Sequence, residues 1–173
     1  MLGEKQKIIV IIGPTAVGKT KTSLELAKAL NGEIISGDSM QIYKGMDIGP
    51  AKVRKEEMQG IPHYLIDIKE PTDAYSVAEF QQDVRHRIAE IASRGHLPII
   101  VGGTGLYIQS VLFDYQFSES GKNEEVRKGL EKRSREVGFE KLHAELSEID
   151  PKSAANIHPN NVRRVIRALE IFY

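Results

Sequence analysis

The chain has 173 residues, 40% of them hydrophobic and 28% charged, and its 24 Lys and Arg balance 24 Asp and Glu to a formal net charge of zero. That balance excludes a global electrostatic pull on nucleic acid, so any such contact has to be local, and the length suits one compact domain with an appendage. The absence of cysteine excludes disulfides, thiolate metal sites and cysteine nucleophiles. No apolar run approaches the roughly 18 residues that span a bilayer, and the N-terminus lacks the apolar core of a signal peptide, so the expectation is a soluble, cytoplasmic protein without membrane contact.

The first element is the apolar run Ile8 to Ile12, which reads as a buried parallel strand. Gly13-Pro14-Thr15-Ala16-Val17-Gly18-Lys19-Thr20 follows it and fits the G-x-x-x-x-G-K-[ST] phosphate-binding loop. Thr22 to Leu30 then reads as a helix with Leu24, Ala27 and Leu30 toward the core. In that context, loop and helix-start N–H groups converge on a diphosphate or triphosphate, Lys19 adds a point charge, and the Thr20 hydroxyl helps to hold Mg²⁺. The alternative, a glycine-rich turn joining strand to helix, leaves unexplained a lysine at a helix start, where the dipole disfavours cations.

Asn31-Gly32 ends that helix, and Glu33-Ile34-Ile35 forms a short strand running into Ser36-Gly37-Asp38-Ser39-Met40-Gln41-Ile42-Tyr43. Asp38 thus falls just beyond a strand end, on the rim where ligands gather in open α/β sheets, although a turn or capping aspartate fits the spacing equally well. Lys44 to Lys52 is a glycine-punctuated surface excursion, and the charged stretch Val53 to Gln59 reads as helical. Ile61 to Ile68 looks like a further strand with proline at its entry, on which His63 reads as structural rather than as a base.

Ser76-Val77-Ala78-Glu79 is a capping box, with Phe80, Val84, Ile88 and Ile91 at helical spacing up to a stop at Gly95, and with Tyr75 and Phe80 as staple and core. Pro98 to Val101 reads as a buried strand ending in Gly102-Gly103-Thr104-Gly105-Leu106-Tyr107. Glycines there admit a ligand close to the backbone or simply allow a tight strand-to-helix turn. From Asp114 the strands stop: Asn123 caps an amphipathic helix through Val137, Gly138 ends it, and Phe139 to Ile149 is another. Lys122, Arg127, Lys128, Lys132, Arg133 and Arg135 are interleaved with acids and read as a solvated face. The last helix, begun by Asn160-Asn161, carries Arg163, Arg164 and Arg167 with no acid before Glu170, so a phosphate-backbone contact and a purely structural face both stay open.

Taken together, Gly13 to Thr20, Ser36 to Tyr43, Asp47-Ile48-Gly49, Gly102 to Tyr107, Ile157-His158-Pro159-Asn160 and Arg167-Ala168-Leu169-Glu170 resemble the tRNA dimethylallyltransferases, or isopentenylpyrophosphate transferases. The resemblance implies an α/β fold of P-loop type: a parallel sheet flanked by helices over residues 1–113, and an all-helical, tRNA-contacting insertion over 114–173. It implies transfer of a dimethylallyl group from dimethylallyl diphosphate to the exocyclic amine of the adenosine next to the anticodon, with Mg²⁺ as cofactor and a monomer as the working form. Asp38 would then be the base, with Thr104 and Lys19 beside the reacting groups. Gly13, Pro14, Thr15, Ala16, Val17, Gly18, Lys19 and Thr20 would hold the diphosphate, and Ser39, Met40 and Gln41 would contact tRNA alongside Asp38, Thr104 and Arg163, Arg164 and Arg167.

Two positions depart from the family pattern. Pro50 stands where members usually have threonine, which removes a hydroxyl and a backbone N–H, and Asn161 stands for the usual aspartate, keeping a capping oxygen but losing a charge. Members also continue beyond this point and supply a further arginine for the diphosphate, so the expectation is an incomplete enzyme. The rival classes are a small P-loop kinase using ATP, a prenyltransferase acting on free adenine nucleotides, and a non-catalytic tRNA-binding fragment.

Overall fold

Pairs of adjacent isoleucines set the architecture. A computed structural model describes residues 6–49, 51–117 and 123–173. The described chain divides into two units, one running to Gln116 and one from Phe117 to Tyr173. In the first, β1 (Ile9–Ile12), β2 (Gly32–Ser36), β3 (His63–Tyr64) and β4 (Leu97–Gly102) form a parallel sheet in the order β1-β4-β2-β3. Side chains alternate across a strand, so Ile34 and Ile99 face α1 (Lys19–Leu30) with Leu24 and Ala27. Ile35 and Ile100 face the other way, into a core with Phe80, Val84 and Ile91 of α2 (Val77–Ser93) and Ile108 of α3 (Gly105–Leu112). The result is an α/β fold of P-loop type, a parallel sheet flanked by helices.

The second unit holds α4 (Glu124–Val137), α5 (Phe139–Ile149), α6 (Pro151–Asn156) and α7 (Val162–Glu170). Leu130, Leu142, Leu146, Val165, Ile166 and Leu169 form its core. Asn123 caps α4 by accepting from Val126 N–H at 3.2 Å, and His143 Nε2 reaches the carbonyls of Ala154 and Ile157 at 3.1 and 2.7 Å, satisfying the end of α6.

Several local expectations need correction. β1 lies at the edge of the described sheet and is only half-buried, with Ile12 59% exposed, so it is not the two-sided buried strand its composition suggests. Leu30, the last residue of α1, is exposed and not in the core; Leu26 packs there instead. The strand anticipated over 61–68 shrinks to two residues because Leu65 and Asp67 adopt left-handed backbone, φ 60° and 56°. Val53 to Gln59 makes only a turn, with Met58 N–H reaching Arg54 carbonyl, and ends in left-handed Gln59 and Gly60. Asn161 precedes α7 without a side-chain capping bond, so the oxygen that it keeps does not serve the helix. The family departure at Pro50, the N-terminal Met1 to Lys5 and Lys122 lie outside the described residues.

The ends of β1, β2 and β4 are drawn together by glycine. A Cβ on Gly102 would lie 2.2 Å from Gly37 O and 2.3 Å from Gly37 C, and that backbone is fixed by Gly37 N–H donating to Val101 O at 2.8 Å. Gly102→Ala is therefore expected to cost at least about 2 kcal/mol of stability in urea unfolding, since backbone cannot yield as a side-chain tip does. Gly105→Ala, which meets nothing within 4 Å at a helix start, serves as the control; equal stability of the two variants would remove the close-approach explanation.

Candidate active site

The phosphate loop leaves β1 at Ile12 and turns through two left-handed residues, Ala16 (φ 66°) and Gly18 (φ 89°), before α1 begins at Lys19. That turn aims successive N–H groups into one concavity, the arrangement that binds anions. No side chain caps α1 and no acid lies in its first turn, so its N-terminal donors and positive dipole end are offered to a ligand. Lys19 Nζ donates to Pro14 O at 2.6 Å, folding the ammonium back over the loop. The exposed Thr20 hydroxyl makes no hydrogen bond among the described residues, while Ser23 Oγ donates to the Thr20 carbonyl.

Facing the loop, the chain after β2 is held by short polar contacts. Asp38 Oδ1 accepts from Met40 N–H at 2.8 Å, so one oxygen fixes its own turn and the other stays available. Thr104 Oγ1 accepts from Ser39 N–H at 3.0 Å and donates toward Ser39 Oγ at 3.3 Å, and its own N–H reaches Gly37 O. Thr104 therefore braces the turn that carries Asp38. Ser36 Oγ donates to Gln41 Oε1 at 2.9 Å.

Thr15, Ala16, Gly18, Lys19, Thr20, Ser36, Asp38 and Gln41 line one cavity of about 360 Å³, with Ile34, Val53, Ile66 and Val101 as its apolar wall. Gly13, Pro14 and Val17 complete the loop without lining that cavity. A shallower depression joins Thr15 and Asp38 to Met40, Met46 and Ile48, the last 96% exposed.

Two residues at or beside this wall are not singled out as functional in sequence. His63, set aside there as structural, lines the cavity because β3 pairs it with Ile34. Burial pushes its imidazole below the ordinary value, against the opposing bond of Nδ1 to Ile61 O at 2.8 Å. Lys52 emerges as a buried cation between Asp47 and Asp67; only the spacing of Asp47 and Lys52 hints at this in sequence.

In the helical unit Arg163 and Arg164 are exposed and make no side-chain hydrogen bond or ion pair among the described residues. Arg167 differs: its Nη1 lies 3.1 Å from the buried Glu170 carboxylate, which Arg127 Nη2 also reaches at 2.9 Å and to which Asn123 N–H donates at 2.9 Å. Burial alone would raise the Glu170 pKa, but the bonds and charges of Arg167 and Arg127 outweigh it and hold it below its usual 4.5. A carboxylate depressed on folding contributes stability that is present above its unfolded value and lost as pH falls through the folded one. Glu170→Gln is thus expected to flatten the acid-side loss of stability that sets in below pH 4.5, measured by denaturant unfolding across pH; an unchanged acid limb would contradict the ion-pair account.

The fold and the loop together define a P-loop-type α/β protein. The sequence pattern of the IPP transferase family matches residues 41–173, and the chain belongs to that family. It is 67% identical over 169 residues to a tRNA dimethylallyltransferase of Bacillus cytotoxicus, covering 98% of this chain and 54% of that protein. A tRNA dimethylallyltransferase of Bacillus anthracis is likewise 67% identical, with the same coverage. Among solved structures, the tRNA isopentenylpyrophosphate transferase of Bacillus halodurans is 58% identical with TM-score 0.66, over 97% of this chain and 55% of that one. A eukaryotic dimethylallyltransferase solved acting on tRNA is 36% identical with TM-score 0.84, over 98% and 42%. The chain spans about half the length of the curated relatives it matches. Among the described residues no helix is long and apolar enough to cross a membrane.

Proposed function

We propose that the chain carries the diphosphate-binding and proton-accepting half of a prenyl transfer to tRNA: a dimethylallyl group passes from its diphosphate to the exocyclic amine of the adenosine next to the anticodon. The observation that carries the reading is the single cavity in which the phosphate loop, Lys19 and Thr20 share walls with Asp38. As the allylic C–O bond breaks, negative charge grows on the departing diphosphate, where the loop N–H groups and Lys19 stabilise it. The adenine amine is a poor nucleophile because its lone pair is delocalised, and the unengaged oxygen of Asp38 takes its proton as the new C–N bond forms. The apolar wall of Ile34, Val53, Ile66 and Val101 suits the hydrocarbon of a prenyl ester.

Mg²⁺ fits this donor set as an ion carried by the diphosphate: Thr20 supplies a free hydroxyl oxygen at the cavity, and among the described residues no cluster of three or more Asp, Glu, His or Cys makes a protein cage. When bound it would neutralise diphosphate charge, with Thr20 as its protein ligand. Met40 is exposed beside Asp38 and suits contact with an unstacked base, whereas Ser39 and Gln41 are held by Thr104 and Ser36 and act through the shape of the turn. The same reading makes the protein a cytoplasmic monomer.

Thermal melting tests the ligand: dimethylallyl diphosphate with Mg²⁺ should raise the melting temperature and ATP should not, the reverse result assigning the chain to the kinases. Labelled dimethylallyl diphosphate mixed with unmodified tRNA then separates transfer from mere retention of tRNA. For the RNA contact, Arg163→Ala and Arg164→Ala should each reduce the salt dependence of tRNA binding by about one unit of slope. Arg167→Ala should add a loss of stability because it strips Glu170 of a partner. Unchanged slopes would return Arg163 and Arg164 to the solvated surface.

A further inference from the structure

Lys52 does not behave as a surface lysine. Only 5% of its side chain is exposed, and its ammonium has an acceptor for each of its three protons: Tyr43 O at 2.8 Å, Asp47 Oδ1 at 2.9 Å and Asp67 Oδ1 at 2.6 Å. These acceptors come from two stretches of chain, the loop that carries Tyr43 and Asp47 and the segment after β3 that carries Asp67. The stretches are also stitched by backbone bonds, Asp67 N–H to Gln41 O, Ile68 N–H to Ile42 O and Lys52 N–H to Asp47 O. The neighbours of these anchor points, Gln41, Ala51, Val53 and Ile66, line the same cavity as the phosphate loop.

A second observation concerns the backbone beside the third anchor. Leu65 and Asp67 are non-glycine residues in left-handed conformation, which persists only where the surroundings over-determine it. Leu65 is held by burial, 4% exposed. Asp67 is exposed, and what fixes it is its bond to Lys52 together with its N–H to Gln41 O.

We propose that Lys52 is a positioning residue of the diphosphate cavity, clamping the wall formed by 41–43, 51–53 and 66–67, rather than a phosphate ligand. With all three protons committed, it has none to offer an incoming anion without releasing the wall. The proposal rests on the reading of this cavity as a prenyl diphosphate site, and it deepens that reading by naming what holds that wall in place.

The two roles for Lys52 give opposite signs in one experiment. Asp67→Asn leaves the lysine charge intact and removes a negative charge near the anion, so a phosphate-ligating Lys52 would bind dimethylallyl diphosphate more tightly in that variant. A positioning Lys52 keeps only a neutral amide acceptor at 67 in place of a charge-assisted one, so that anchor weakens and the ligand binds less tightly, while Lys52→Met, which removes all three bonds, binds it about tenfold more weakly if the wall then holds its binding geometry about a tenth of the time. Calorimetry with dimethylallyl diphosphate and Mg²⁺ reads the affinity, and amide exchange at Lys52, Asp67 and Ile68 in the ligand-free chain reads the clamp directly.

Faster exchange together with weaker binding in both variants supports the proposal. Tighter binding in Asp67→Asn, unchanged exchange, or faster exchange with unaltered affinity overturns it, the last leaving Lys52 a merely structural tie. Diphosphate binding by the unsubstituted chain that is unaffected in Lys52→Met overturns this proposal alone. Absence of any binding by the unsubstituted chain overturns the functional reading with it.

Discussion

Asp38→Asn is expected to lower dimethylallyl transfer to tRNA by about 10²–10⁴-fold, the range that general-base catalysis contributes, while dimethylallyl diphosphate affinity changes by less than about twofold. Asparagine has the same shape, and its amide oxygen can still accept from Met40 N–H, so the turn that presents residue 38 survives. What it cannot do is take the amine proton. Label transfer read beside calorimetric affinity separates chemistry from binding. A variant with near-normal turnover would make Asp38 a turn residue only, and one that lost affinity as severely as a Lys19 variant would place it in the metal or phosphate shell.

How much of this could be read in advance depends on how local each cause is. Ser76 and Glu79 are three residues apart and satisfy each other's backbone N–H, so α2 announces itself, as do Asn123 at the start of α4 and Gly138 at its end. The sheet order is not local: β4 inserts between β1 and β2 by pairing Ile99 with both Ile9 and Ile34, partners far apart in the chain. β3 was overestimated because its termination at Leu65 is imposed by tertiary packing, against the preference of leucine for extended or helical backbone.

The site divides along the same line. The phosphate loop is contiguous and carries its own geometry, and Asp38 follows a strand end that any parallel sheet would turn toward the same rim. The glycine run that ends β4 is ambiguous in sequence because the reason for Gly102 lies in Gly37, a neighbour only in space. Lys52 was illegible because Asp67 and the Tyr43 carbonyl meet it only after the chain has folded. Arg167 could have been read otherwise: Glu170 lies three residues on, the spacing at which a helix brings opposite charges together, and in the structure they are paired.

Lys19→Ala should leave the free chain nearly as stable as before and remove about half or more of its stabilisation by diphosphate. In the ligand-free protein the ammonium gains one bond to Pro14 O, yet it sits at the positive end of α1 with no acid in the first turn to offset the repulsion. These effects oppose each other, so the melting temperature without ligand should move little. With ligand the balance changes, because a charge-assisted bond to phosphate contributes about 1.5–3 kcal/mol, roughly tenfold to a hundredfold in affinity. At a dimethylallyl diphosphate concentration of about 100 times the original dissociation constant, the ligand adds about 2.7 kcal/mol to the unsubstituted chain and between about 1.4 and 0.4 kcal/mol to the variant. Binding of tRNA to the same variant should persist, since the charge addresses the diphosphate rather than the anticodon loop. Equal loss of tRNA and diphosphate binding, or a ligand-induced shift as large as the unsubstituted chain's, would remove Lys19 from the diphosphate site.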